Sequence, residues 1–189
     1  MLKRLSLVFL LILAVTAPAA QSQDADAHAG PKIVYIIRHA EKPDSRDDPN
    51  LTPRGYQRAD VLAHLIPDRF GRPDFLWATA PSPHSSRPLE TIQPLAKSLH
   101  MTILDPYAAA DVAALAHDLL TKPEYSGKTI LICWHHGEIP ALAKALGATG
   151  VPEAWNPQVF DRIWLLSFSA GQVQFQDLPQ KALPGDSQK

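Results

Sequence analysis

Arg38-His39-Ala40-Glu41 follows directly on the apolar run Lys32–Ile37. A neutral imidazole can attack phosphorus and split one hard displacement into two easier ones. A guanidinium beside it can grip phosphate oxygens in a fork and offset charge in the transition state. Arg87-Pro88-Leu89-Glu90-Thr91 is a second such stretch, at a helix start, where free N–H groups and the helix dipole already favour anions. Trp134-His135-His136-Gly137-Glu138-Ile139-Pro140 is the third, again after an apolar run. Each has a plainer reading: Arg38 and Arg87 as ion-pairing cations, the latter with Glu90, and the histidines as core or surface residues. Zinc on His135 and His136 is the metal alternative. Adjacent positions rarely converge on one ion, however, and the chain has no H-E-x-x-H helix and no Cys/His ligand set.

All three stretches need elements that bring them to one place. Lys32–Ile37, Asp74–Ala78, Lys128–Cys133 and Ile163–Phe168 read as buried strands, with a shorter one at Met101–Leu104. Val173–Phe175 can pair back on Ile163–Phe168 across Ala170-Gly171. Helices fall between them. Thr52-Pro53 is a cap followed by proline, and Ala59, Leu62, Leu65 and Ile66 then share a face. Pro88–Leu99, Ala109–Leu120 and Ile139–Leu146 give three more. The alternation predicts an α/β domain, a three-layer α/β/α sandwich with a central mostly parallel sheet. In such sheets ligands sit beyond the C-terminal ends of the strands, which is where Arg38-His39, Arg87 and His135-His136 fall.

Taken together and in this order, the three stretches resemble the histidine phosphatase superfamily, the phosphoglycerate mutase-like proteins of branch 1. The family's Arg-His-Gly-Glu appears as Arg38-His39-Ala40-Glu41, and its Leu-Thr-x-x-Gly as Leu51-Thr52-Pro53-Arg54-Gly55. Arg-x-x-(Glu/Gln)-Thr runs from Arg87 to Thr91, and a His follows the fourth strand. The resemblance spans about residues 32–168. It implies that His39 is the phosphorylated nucleophile and that Arg38, Arg87 and the late His form the phosphate pocket. The pattern His-x-x-x-Ile puts the late His at His135, with Ile139 in register; a one-residue bulge would substitute His136. Ala40 departs from the usual glycine, and the approach Ser82-Pro83-His84-Ser85-Ser86-Arg87 is one residue longer than usual, which leaves Ser82 without an assigned role. The family's general acid follows the third strand. Here Asp111 is its nearest counterpart, one residue displaced and a methylene shorter, with Glu138 and Asp105 as alternatives. Asp111 can equally be read as the cap of the next helix.

The beginning of the chain reads as an address. Lys3 and Arg4, the apolar Leu5–Val15 and the small residues Ala17-Pro18-Ala19 suit a signal peptide over residues 1–19, too short for a comfortable membrane span. An uncleaved anchor is the alternative. Removal takes two positive charges and no negative ones, carrying the formal net charge from −1 to −3. Such a chain has no basic footprint for nucleic acid or an anionic membrane surface. The expected product is an exported, periplasmic or secreted protein with no stable membrane insertion. Residues 20–31 read as a flexible leader, 32–178 as the domain and 179–189 as a flexible tail. The single cysteine, Cys133, excludes an internal disulfide. No insertion between Thr91 and His135 is long enough for a large cap, so an open pocket is expected. The expectation is therefore a phosphomonoesterase on a small or envelope-associated phosphate ester, without metal or other cofactor. A phosphate-binding module of the same fold without turnover and a zinc-dependent hydrolase are the competing readings.

Overall fold

Ile33–Arg38 (β1) is apolar at every position but its last, which suits a strand covered on both faces. The computed structural model describes residues 30–45 and 47–187, and β1 lies inside its sheet. The elements that follow are Pro53–Phe70 (α1), Phe75–Ala78 (β2), Arg87–Leu99 (α2), Ile103–Leu104 (β3), Val112–Thr121 (α3), Thr129–Trp134 (β4), Ile139–Ala145 (α4), Arg162–Ser169 (β5) and Gln172–Pro179 (β6). The sheet order is β3-β2-β4-β1-β5-β6. The first four strands run parallel, β5 is antiparallel to β1, and β6 antiparallel to β5.

The alternation of side chains along each strand divides the core into two layers. Val34, Ile36, Ile130, Ile132 and Trp164 pack with Leu115 and Leu119 of α3 and with Leu142 and Ala143 of α4. Tyr35, Ile37, Leu76, Leu131 and Ile163 pack with Leu62, Ile66, Ile92 and Leu95 of α1 and α2. The expected three-layer sandwich is the observed one. Helix α1 starts where the sequence placed it. Thr52 Oγ1 accepts the Gly55 N–H at 3.1 Å, a cap worth about 1 kcal/mol.

Several boundaries differ from expectation. Helix α3 begins at Val112, with Asp111 at its N-cap position, because Ala108–Asp111 closes a turn of its own. Strand β6 has eight residues, paired in full with β5 across Ala170 and Gly171, both at positive φ (48° and 74°). The flexible tail from Pro179 is corrected for residues 179–187: Pro179 ends β6, Gln180 is fully buried and Asp186 is 6 % exposed. Polar composition suggested a solvated end, but these side chains are buried because they have charged and amide partners. Gly30 and Pro31 are likewise buried, so the leader does not extend to residue 31. The expected signal peptide and residues 20–29 lie outside the described residues. Among those described, no helix is long and apolar enough to cross a membrane.

Candidate active site

Strand β1 ends on Arg38, and His39 continues the pairing by one step, its N–H donating to the Trp134 carbonyl at 3.1 Å. The β1–β4 register pairs Arg38 with Trp134, so the residues just beyond each strand, His39 and His135, are neighbours. Their ring centroids are 5.4 Å apart at an interplanar angle of 67°. His135 thus stands against the candidate nucleophile, and no bulge intervenes. His39 is 2 % exposed. Its Nδ1 lies 2.7 Å from the Ala40 carbonyl oxygen, which can only accept, so Nδ1 carries the hydrogen. The lone pair is then on Nε2.

Arg38 is fully buried. Its Nη1 donates to the carbonyls of Pro157 (2.6 Å) and Val159 (3.0 Å), while Nε and Nη2 have no partner among the described residues. Arg87 repeats the arrangement from the first turn of α2. Its Nη1 donates to the Asp48 carbonyl at 3.0 Å, and its buried Nε has no partner. An unsatisfied buried donor costs about 1–3 kcal/mol, more when charged. Strand β1 and helix α2 therefore hold two guanidinium groups with spare donors, close enough for Arg87 to depress the pKa of Arg38.

This excess of positive charge sets the protonation states. Burial, with help from Arg87 and against Glu41, pushes Arg38 down to about 10. Burial first, then the charges of Arg38, His135 and Arg87, take His39 down to about 2, against the opposing Ala40 hydrogen bond. Burial and the same arginines, with His136, hold His135 near 4. Both imidazoles are therefore neutral at ordinary pH. Arg87 is lowered by burial, with Asp48 and Glu90 opposing. The result is a cationic cluster with an unprotonated imidazole nitrogen, a combination that attracts a phosphoryl group and can attack its phosphorus.

The remaining motif residues brace this cluster. Thr91 Oγ1 accepts the Ala40 N–H at 2.9 Å and donates to the Arg87 carbonyl at 2.7 Å, tying the nucleophile's strand end to the arginine's helix. Glu90 accepts the Leu51 N–H at 2.9 Å. Thr52 donates to the Glu41 carbonyl through its backbone N–H (2.9 Å) and its hydroxyl (3.2 Å). A Cβ on Gly55 would lie 2.4 Å from that same carbonyl oxygen, so the close approach requires glycine. Ala40 is fully buried against Leu51 and Ala59.

A buried charge network lies next to this cluster, on the far side of Glu41. Arg58, 2 % exposed, meets the Glu41 carboxylate through Nε and Nη2 and the Asp186 carboxylate through Nη1 and Nη2, at 2.8–3.2 Å. Burial alone would lower its pKa, but the two carboxylates outweigh burial and raise it. Its partners lie 17 and 128 residues away, beyond the reach of any local sequence pattern.

The other candidates are placed as follows. His136 is half-buried, its pKa lowered by burial and by Arg38 and Lys42. Asp111 is exposed, with Oδ2 accepting the Ala108 N–H at 3.0 Å. Its loop nevertheless lies at the strand ends, because Trp134 Nε1 donates to the Ala109 carbonyl and Ala80 N–H to that of Tyr107. Glu138 sits half-buried at the N-cap position of α4, its pKa raised by burial. Asp105 is half-buried just after β3, and Ser82 is exposed in a short bridge with Ser85. Among the described residues, no group of three or more His, Cys, Asp or Glu could hold a metal ion.

The sequence matches no protein-family model. No curated protein matches it either. Solved structures do match in three dimensions. The protein histidine phosphatase SixA complexed with tungstate aligns with a TM-score of 0.55 and 15% identity, over 78% of this chain and 97% of that one. A mycobacterial glucosyl-3-phosphoglycerate phosphatase aligns with a TM-score of 0.54 and 16% identity, over 78% and 97%. A variant of the phosphoserine phosphatase from Entamoeba histolytica, in complex with phosphoserine, aligns at 0.50 and 17% identity, over 80% and 98%. With the sheet order, the paired strand ends and these alignments in hand, the fold of this chain is that of the histidine phosphatases, the phosphoglycerate mutase-like α/β/α sandwich.

Proposed function

We propose that this chain is a phosphomonoester hydrolase that works through a phosphohistidine on His39. The observation that carries the reading is the free Nε and Nη2 of buried Arg38 and the free Nε of Arg87, beside a neutral imidazole with its lone pair on Nε2. In the first step Nε2 forms a bond to phosphorus as the ester's P–O bond breaks, and the leaving oxygen takes a proton from an acid. Arg38 and Arg87 offset the charge on the equatorial oxygens, and His135 donates to one of them. In the second step water attacks the phosphohistidine, inorganic phosphate leaves, and the water's proton returns to the acid.

Asp111 is the acid of this proposal, since its loop flanks the strand ends. Its exposure and its turn hydrogen bond also support the second reading, a phosphate-binding module without turnover. The solved structures of like fold include a protein histidine phosphatase, a phosphoserine phosphatase and a glucosyl-3-phosphoglycerate phosphatase. For this chain the substrate class is a small or envelope-associated phosphate ester, met outside the inner membrane if the signal peptide acts as the sequence suggests. A turnover screen over a panel of phosphate esters tests the reading. Phosphate release that persists in EDTA, stops with vanadate and is absent from His39→Ala supports it. Stoichiometric phosphate binding with no release supports the binding module, and loss of release on chelation supports the zinc reading.

A further inference from the structure

A guanidinium can offer an anion either its end, Nη1 with Nη2, or its side, Nε with Nη2. In Arg38 the choice is already made. Both Nη1 hydrogens are spent on the carbonyls of Pro157 and Val159, so only the Nε/Nη2 side is free. The plane of the group is fixed as well, because the Phe160 ring centroid lies 3.7 Å from the guanidinium carbon. The same ring stands 6.1 Å from that of His39.

The segment that does this, residues 156–160, lies between α4 and β5 and belongs to none of the motif stretches. It is itself held. Trp155 Nε1 donates to the Val159 carbonyl at 2.8 Å, so that oxygen accepts from both Trp155 and Arg38. Val159 N–H donates to the Asn156 carbonyl, and Gln158 N–H to Asn156 Oδ1. Gln180, fully buried, donates through Nε2 to the Phe160 carbonyl at 3.2 Å.

We infer that the 156–160 segment is a clamp that aims the side fork of Arg38 at the bound phosphoryl group, with Phe160 as its positioning residue. Orienting a long side chain in advance removes an ordering cost from binding. The inference rests on the proposed anion site and deepens it. It does not require turnover, because the clamp acts on binding of the oxyanion itself.

The test is equilibrium binding of inorganic phosphate and orthovanadate to the full chain, in wild type, Phe160→Leu, Phe160→Tyr and Trp155→Phe, each also in an Arg38→Lys background. A cation–π contact at a buried site corresponds to a loss of about 2- to 30-fold in affinity for Phe160→Leu. Phe160→Tyr keeps the ring face and should retain most of the affinity. Trp155→Phe removes one donor to Val159 and should give a smaller loss, which serves as the readout if Phe160→Leu does not fold. In the Arg38→Lys background these losses should vanish, because a lysine has no fork to aim. Unchanged phosphate affinity in folded Phe160→Leu, or an equal loss in both backgrounds, would show mere packing and overturn the inference. Failure of wild type to bind phosphate or vanadate would overturn the anion site and the clamp together. Binding without turnover would sink only the hydrolase reading.

Discussion

Replacing Arg58 by Met removes the buried side chain that pairs with both Glu41 and Asp186 at 2.8 Å. Breaking a buried ion pair from one side costs about 3–5 kcal/mol, because the other charge is stranded. Here the lower end applies, since Arg54 Nε stays 3.1 Å from Glu41 and Nη2 lies 3.8 Å from Asp186. For a domain of this size that means a fall in Tm of roughly 6–12 °C. Asp186→Asn is the milder change. Burial would raise the Asp186 carboxyl, but Arg58 and the N–H groups of Leu183 and Ala182 outweigh it and hold it at about 2, against an ordinary 3.8. A carboxyl depressed that far contributes about 2 kcal/mol of stability at neutral pH. Its folded pKa lies below its unfolded one, so the contribution is whole above about pH 4 and is lost as pH falls towards 2. Urea unfolding followed by tryptophan fluorescence, at pH 7 and at steps down to pH 3, measures both effects. The gap between wild type and Asp186→Asn should narrow below pH 4. A gap that does not change with pH, or an Arg58→Met protein within about 0.5 kcal/mol of wild type, would refute the assignment of the network as a stabilising latch.

Gly55→Ala should destabilise by about 1–3 kcal/mol, through overpacking against the Glu41 carbonyl, in the same unfolding assay. It should also lower turnover, because the displaced carbonyl is two residues from His39. His135→Ala should depress the chemical step far more than His136→Ala, and steady-state kinetics on one phosphate ester would reveal the reverse ranking. Asp111→Asn should slow alkyl phosphates by about 10²–10⁴-fold while sparing nitrophenyl phosphate, whose leaving group needs no proton. Equal losses on both substrates would reduce Asp111 to the turn residue its Ala108 hydrogen bond already makes it.

The parts of this fold legible in sequence are those fixed by local chemistry. Continuous apolar runs named the strands, Thr52-Pro53 named the start of α1, and motif spacing brought Arg38, His39, Arg87 and His135 to the strand ends. What escaped depends on partners far along the chain. Gln180 and Asp186 look like a solvated tail until Arg58, 122 and 128 residues earlier, is seen to hold them. Phe160 looks like a loop aromatic until Arg38 is found beneath it. Thr91 was visible as a motif position, but its two bonds, to Ala40 and Arg87, appear only once α2 is packed beside β1. Sequence puts the start of α3 three residues early because Ala109 and Ala110 favour helix, whereas the Asp111 carboxylate closes a turn on Ala108 instead.

The most direct test of the account is to look for the intermediate. Protein mixed with a nitrophenyl phosphate, quenched in alkali within the first turnover and digested, should carry one phosphoryl group on the peptide that contains His39. The modification should be stable to alkali, lost in mild acid, and absent from His39→Ala. A protein that releases phosphate at the wild-type rate with no label on His39, or that is labelled on another residue, would contradict the central claim.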